Sequence, residues 1–469
     1  MTDPEVPAYS TAERDRRWNL ARTFMAREGL DALLVFGEHE DAGPAPFAYD
    51  TWFTNGRAGT TVVFPRDGHP VSLFPMEMFA KDHLETARRG DAVWFPPRHV
   101  RASRDSRAIA ATLGELGLAG GTVGVVGLEP APPWHPEGIV PYGLWSSVLE
   151  RFPGTEFRPV GMALARLMMP LSDEETAVVR RSARIGDAMA RAMVDAAAAG
   201  VPESEVYAAG MAAGYARGTT PAAMHFWSGP DPLASGLPPW SYRPQAPRTL
   251  RDGDVISAEV FSNVAGRHTQ HQVTISIGEP HPDLRRAAGV ARAVYDACLR
   301  ALRPGRTFGE AVDAMREPLE AADGWEFGPA IHALNPMIAL SGFPSYAAEH
   351  LPGAGAYPPE ARHPTLCGDM ELAPGMTFAL EPNFVCGRHL AYLGGTVIVG
   401  EDEPVEPQPV HGTDPAGGRN APAVSPRRAE KSKRPAPRVH ARLLAPRPPR
   451  RKGPDRTGAP GTTPRHRES

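Results

Sequence analysis

Cysteine is scarce in this 469-residue chain: Cys298, Cys367 and Cys386 are the whole complement, with no CxxC pair and no framework spacing. That excludes a disulfide scaffold or a zinc centre of four thiolates, and it fits a reducing compartment. Long hydrophobic runs are lacking too. Nowhere do about 18 apolar residues follow one another, so no membrane-spanning helix is expected. The opening "MTDPEVPAYSTAERDRRW" is acidic and polar where a secretory signal would be apolar, and a soluble cytoplasmic protein is the expectation. Nor does either charge dominate, with 50 basic against 54 acidic residues, but the signs are segregated. From Gly412 onward stand 15 Lys/Arg and 4 Asp/Glu, which leaves 35 against 50 before it. An acidic body argues against a nucleic-acid-binding core and leaves weak polyanion contacts to the basic tail alone.

What is present divides the chain in three. A length of 469 residues has room for two ordinary domains and a tail. In residues 1–164 an amphipathic helix ends at Gly29 and feeds the buried-strand run "DALLVFG". Two strands follow around an Arg-Asp-Gly turn in "GTTVVFPRDGHPVSLFP", then the helix "RDSRAIAATLGELGLAGG" and the strand "TVGVVGLE". This is an α/β pattern. In residues 165–411 Ser172 and Glu175 form a capping-box signature for a long helix, and a second helix starts near Glu203. Strands come next: the polar hairpin "RDGDVISAEVFSNVAGRHTQHQVTISIGEP", a further helix, and the pair "GMTFALEPNFV" and "GGTVIVGEDEPV". Residues 412–469, rich in Pro and Arg, have almost nothing to bury and read as a disordered tail.

The order of these landmarks resembles the creatinase, Xaa-Pro aminopeptidase (prolidase) and methionine aminopeptidase family. The residues that carry the resemblance are "RLMMPLSDEETAVVRRSARIGDAM", "LRDGDVISAEV", "ALRPGRTFGEAVDAM" and "LAPGMTFALEPNFV", together with "MAREGLDALLVFG" and "VVFPRDGHP" in the first domain. The resemblance implies an α+β pita-bread catalytic domain behind an α/β creatinase-type N-terminal domain. It also implies hydrolysis of C–N bonds in a small molecule or an Xaa-Pro-type peptide, and a homodimer.

Members of that family usually hold two divalent metals with Asp, Asp, His, Glu and Glu, the two Asp eleven residues apart on a hairpin. Here the first position is Glu259, and eleven residues on stands the neutral Gln270. His332 of "EFGPAIHALNP" is the candidate for the His, Glu381 of "ALEPNF" matches the fourth ligand, and the fifth falls at Gly394 or Gly395. Two carboxylates do not neutralise two divalent ions at short separation, so a dinuclear centre is not expected. Glu259, His332 and Glu381 are the candidates to hold at most one ion, Mn, Zn or Co. Without any metal, the same three and His268 are the candidates for acid/base catalysis.

On strand alternation, Ser257, Glu259 and Phe261 share one face of the first hairpin strand and His268, Gln270 and Gln272 one face of the second, so if Glu259 points into the pocket, His268, Gln270 and Gln272 are expected to do so too. His225, Trp240, Gln270 and Gln272 are the candidates for holding substrate, Trp240 as an apolar or cation-stacking wall. Three readings stand open: a hydrolase with a reduced metal site, a metal-independent creatinase-like hydrolase or lyase, and an inactive binding module.

Overall fold

The structure is a computed structural model that describes residues 6–38, 48–130, 135, 137–219, 223–342, 353–356 and 365–408. The expected tail, 412–469, lies outside the described residues.

The first helix, α1 (Thr11–Glu28), ends at Gly29, whose φ of 67° lets its amide reach back to the Met25 carbonyl. A left-handed residue is needed there, and glycine takes that conformation without a Cβ clash. The chain then enters β1 (Ala32–Phe36), buried along its length. Alternate side chains serve two cores: Leu33 and Val35 pack with Trp18, Phe24 and Met25 of α1, while Ala32, Leu34 and Phe36 pack with Ile109, Leu113 and Val148 on the other side. A strand covered on both faces has to be apolar throughout, which is why it reads as a run rather than an alternation.

Around β1 lie β2 (Thr61–Pro65), β3 (Val71–Leu73), β4 (Val100–Arg101), β5 (Thr122–Val126) and β6 (Glu156–Pro159), in the order β4-β3-β2-β1-β5-β6. β2 runs antiparallel to β1, and β5 runs parallel to it. The helices of this part are α2 (Tyr49–Thr54), α3 (Glu77–Arg88), α4 (Ser106–Glu115), α5 (Tyr142–Arg151) and α6 (Gly161–Met168).

The second part starts with α7 (Asp173–Ala196). Ser172 and Glu175 form the expected capping box, each satisfying the other's backbone amide. α8 (Glu203–Tyr215) follows. The large sheet has β7 (His225–Gly229), β8 (Val255–Val264) and β9 (Arg267–Ser276) on one side. Two helices, α9 (Pro282–Ala301) and α10 (Phe308–Glu320), intervene in the chain. Three short strands, β10 (Trp325–Glu326), β14 (Phe384–Cys386) and β15 (His389–Ala391), make a separate sheet. The rest of the large sheet is β11 (Ile331–Leu334), β12 (Met337–Gly342), β13 (Thr377–Leu380) and β16 (Gly394–Ile398), in the order β12-β11-β13-β16-β9-β8-β7.

α7 packs on β8 and β9. The approach is close because residue 186 is glycine: a Cβ there would stand 2.5 Å from His271 Cε1. The architecture is that of a pita-bread domain preceded by an α/β domain. Among the described residues no helix is long and apolar enough to cross a membrane.

Candidate active site

The register of the large sheet assembles the site. β8 and β9 pair antiparallel with Glu259 opposite Gln272 and Phe261 opposite Gln270, and β7 lays His225 opposite Glu259. Directly opposed residues share a face, so these side chains gather on one side of the sheet. From the other half, β11 sets His332 opposite Ala379 of β13, and Glu381 follows two residues on.

The side chains form two imidazole–carboxylate pairs joined by an amide. Gln270 Nε2 donates to Glu259 Oε1 and, at 2.9 Å, to Glu381 Oε2. Gln272 Nε2 also donates to Glu381 Oε2. His332 Nε2 lies 3.0 Å from Glu381 Oε1. Its Nδ1 lies 2.9 Å from the Ala333 carbonyl, which fixes the proton on Nδ1 and aims Nε2 at the carboxylate. His225 Nδ1 is 2.8 Å from Glu259 Oε2. Glu259, Gln270, Gln272, His332 and Glu381 are all buried, and His225 is partly exposed.

Burial and the nearby charge of Glu259 push the Glu381 carboxyl up to about 7, against the pull of His332 and His225. Burial alone would depress both imidazoles. The charge and hydrogen bond of Glu381 nevertheless raise His332, and those of Glu259 raise His225. Glu381 and His332, 3.0 Å apart and buried, titrate as a pair.

The donor set does not suit a pair of divalent ions. The group in contact with both carboxylates is an N–H₂, a donor that binds no cation. The last carboxylate of the usual set is missing, with Gly394 and Gly395 at its position. A side chain at Gly394, where φ is 136°, would run into the Leu380 carbonyl. One at Gly395 would meet Gln408 Nε2 at 2.8 Å and the Gln270 carbonyl at 3.1 Å.

Several polar atoms on this side of the sheet are buried without partners: Gln270 Oε1, Gln272 Oε1, Ser257 Oγ and Trp227 Nε1. Buried groups of this kind are costly unless something satisfies them, and a polar substrate would.

The remaining candidates fall elsewhere. His268 is buried, its ring makes no hydrogen bond among the described residues, and burial with the charge of Arg267 drives it down to about 4, so it is neutral near pH 7. Among the described residues neither Glu259 nor Glu381 is hydrogen-bonded to this acid/base candidate. Asn335 instead grips its backbone, accepting from His268 N at 2.9 Å and donating to its carbonyl at 3.1 Å. Trp240 stacks its edge on Tyr207, ring centroids 5.4 Å apart.

Sequence reasoning missed Ser235, whose Oγ lies 3.1 Å from His225 Nδ1. Its loop is fastened to the small sheet by Asp231, 2.6 Å from Arg388, and by Leu233, which packs with Trp325, Phe327 and Tyr392. The Pro/Gly-rich composition marked a loop at the rim; no sequence signal marked that serine.

Comparison with known proteins agrees with this fold. Residues 177–402 match the metallopeptidase family M24. A probable dipeptidase PepE of Mycobacterium tuberculosis is 30% identical over 158 residues, which is 33% of this chain and 37% of that protein. Creatinase of a Bacillus species is 25% identical over 286 residues, 58% of this chain and 62% of the enzyme. The chain thus spans less than two thirds of the length of either relative. Among solved structures, the dipeptidase PepE of Mycobacterium ulcerans superposes with a TM-score of 0.61 at 20% identity, covering 86% of this chain and 97% of the other. The X-Pro aminopeptidase of Thermotoga maritima gives 0.62 at 16% identity, covering 82% and 96%.

Proposed function

We propose, on the premise that this chain belongs through residues 177–402 to metallopeptidase family M24, that it hydrolyses a C–N bond of a small polar molecule or Xaa-Pro-type dipeptide without a dinuclear metal centre. The observation that carries this reading is the Gln270 amide nitrogen, hydrogen-bonded at once to Glu259 and Glu381, each of which holds its own imidazole. A neutral donor there does part of what a cation would: it holds two carboxylates together in a buried place.

In this reading Glu381, backed by His332, takes a proton from water as its oxygen attacks the substrate carbon. His225, whose proton Glu259 stabilises, gives one to the departing nitrogen as the C–N bond breaks. The unpartnered Gln270 Oε1, Gln272 Oε1 and Trp227 Nε1 receive the substrate's polar groups. The cell compartment is the cytoplasm, in keeping with three free cysteines, and the working form is a homodimer.

A second reading has one support. Turning the Gln270 amide would present its buried, partnerless Oε1 beside Glu259, His332 and Glu381, an oxygen-and-imidazole set for a single divalent ion.

Exhaustive chelation, followed by assay against Xaa-Pro dipeptides and small amides and amidines, separates the two. The first reading expects turnover to survive, and expects Glu259→Gln and Glu381→Gln each to lower it by at least about 100-fold. Activity that vanishes with the chelator and returns with one equivalent of Mn²⁺, Zn²⁺ or Co²⁺ establishes the second. Full activity in both carboxylate variants overturns the two together.

A further inference from the structure

A second cluster of metal-binding side chains stands outside the active site and shares no residue with it. His281, Asp283 and His389 each offer a ligand atom, and these atoms all lie within 4.8 Å of one another. We propose that His281, Asp283 and His389 form a binding site for one divalent transition-metal ion, joining the N-terminus of α9 to the turn between β14 and β15.

Three features of the chain build this juxtaposition. His281 is the N-cap of α9, and its Nδ1 accepts the Asp283 amide at 3.2 Å, a bond the ring gives up when it turns to bind an ion. Asp283 gives Oδ1 to Arg286, and its Oδ2 faces the turn, where a Cβ on Gly387 would come within 3.4 Å of it. Gly387 has φ of 57°, so the turn is left-handed, and it delivers His389 onto the helix end. There the two imidazoles stack, centroids 3.9 Å apart and planes 14° from parallel.

The state of the ligands is right for a metal. His389 Nδ1 is buried and has no hydrogen-bond partner, a costly condition that a coordinated ion relieves. Stacked rings do not aim two lone pairs at one point, so capture requires His281 to turn; its side chain is half-exposed and has the room. The helix N-terminus disfavours a cation by its dipole, and the Asp283 carboxylate, already paired with Arg286 through Oδ1, offsets part of that. Two imidazoles and one carboxylate suit zinc, cobalt or nickel, with water completing the shell, and not magnesium or calcium, which take oxygen. Because Arg388 precedes His389 and pairs with Asp231 of the rim loop, an ion here also steadies the anchor of the loop that carries Ser235.

The test uses the untagged full chain, stripped by chelator and titrated with Co²⁺, read by its visible absorption and by uptake per chain. One Co²⁺ is expected to give a visible band, not displaced by millimolar Mg²⁺. His389→Ala and Asp283→Asn should weaken binding by at least roughly 10-fold. Glu259→Gln/Glu381→Gln should bind as the parent does. His281→Ala, altered on the exposed side of the cluster, serves where His389→Ala does not fold. Uptake that is absent in the parent, that persists in the cluster variants, or that disappears with the Glu259 and Glu381 changes overturns the proposal.

Discussion

Glutamine at 270 differs from glutamate by one proton-bearing nitrogen, and here that nitrogen donates to both Glu259 and Glu381. Replacing it by a carboxylate puts three acidic groups in one buried place. Gln270→Glu should therefore destabilise the chelator-treated protein by roughly 1–3 kcal/mol, the scale of a lost buried hydrogen bond. Added Mn²⁺ or Zn²⁺ should recover most of that, since three carboxylates and His332 make a fair cation site. Thermal melts with and without metal read both effects; a variant as stable as its parent in chelator would show that the amide does not lie between the carboxylates.

Much of this geometry is legible from a period of two and a spacing of eleven, because a hairpin whose residue 259 faces the pocket must aim 270 and 272 there too. The pairing of His225 with Glu259 is not legible. It depends on β7 adding to the edge of the hairpin, a contact no local pattern specifies. Nor does the strand period show how far along the sheet a side chain lies: His268 has the right parity and still sits beside Arg267 and Asn335.

At the scale of elements, α7 is held at its start by more than its cap. Glu175 completes the capping box and is also paired with Arg16, Arg17 and Arg267, at 2.6, 3.2 and 2.5 Å. One buried carboxylate thus ties α1, α7 and β9. Removing it leaves Arg17 and Arg267 buried with less compensation, whereas removing the serine loses only a cap. Urea denaturation should find Glu175→Ala destabilised by about 3–5 kcal/mol and Ser172→Ala by about 1 kcal/mol; equal losses would reduce Glu175 to a capping residue.

The cap itself is written in "SDEE", the end of α1 in its glycine, and the buried strands in their apolar runs. These local signals are why the α/β first part and the helix-then-hairpin order of the second can be read from the chain. β7 and the short β10, β14 and β15 escape such reading. β7 is five residues next to a Pro/Gly-rich loop, and the others have two or three residues each, too few to display a period.

For the molecule as a whole, pH acts on stability through buried acids as well as through the site. Asp50 of α2 is fully buried against the six-stranded sheet, its Oδ2 accepting from Thr60 N and Thr60 Oγ1, both at 2.8 Å, while its Oδ1 has no partner. Burial is the largest influence on it and outweighs those hydrogen bonds, so its pKa rises from the ordinary 3.8 to about 7. The sign follows from which state binds the proton more tightly. Below about pH 4 the group is protonated in both the folded and the unfolded chain and has no effect. As pH climbs toward 7 the unfolded chain releases the proton first, and the folded state loses stability over that interval; above 7 both are charged and the loss levels off. The full loss is on the order of 4 kcal/mol at most.

Asn at this position keeps an oxygen for Thr60 and carries no charge. Asp50→Asn should match the parent at pH 4 and exceed it at pH 8, with the gap opening between the two as thermal or urea unfolding is followed by circular dichroism. A variant less stable than the parent at pH 8 would mean that the carboxylate is held charged by Arg104, whose guanidinium also braces the Gly37 and Gly59 carbonyls nearby.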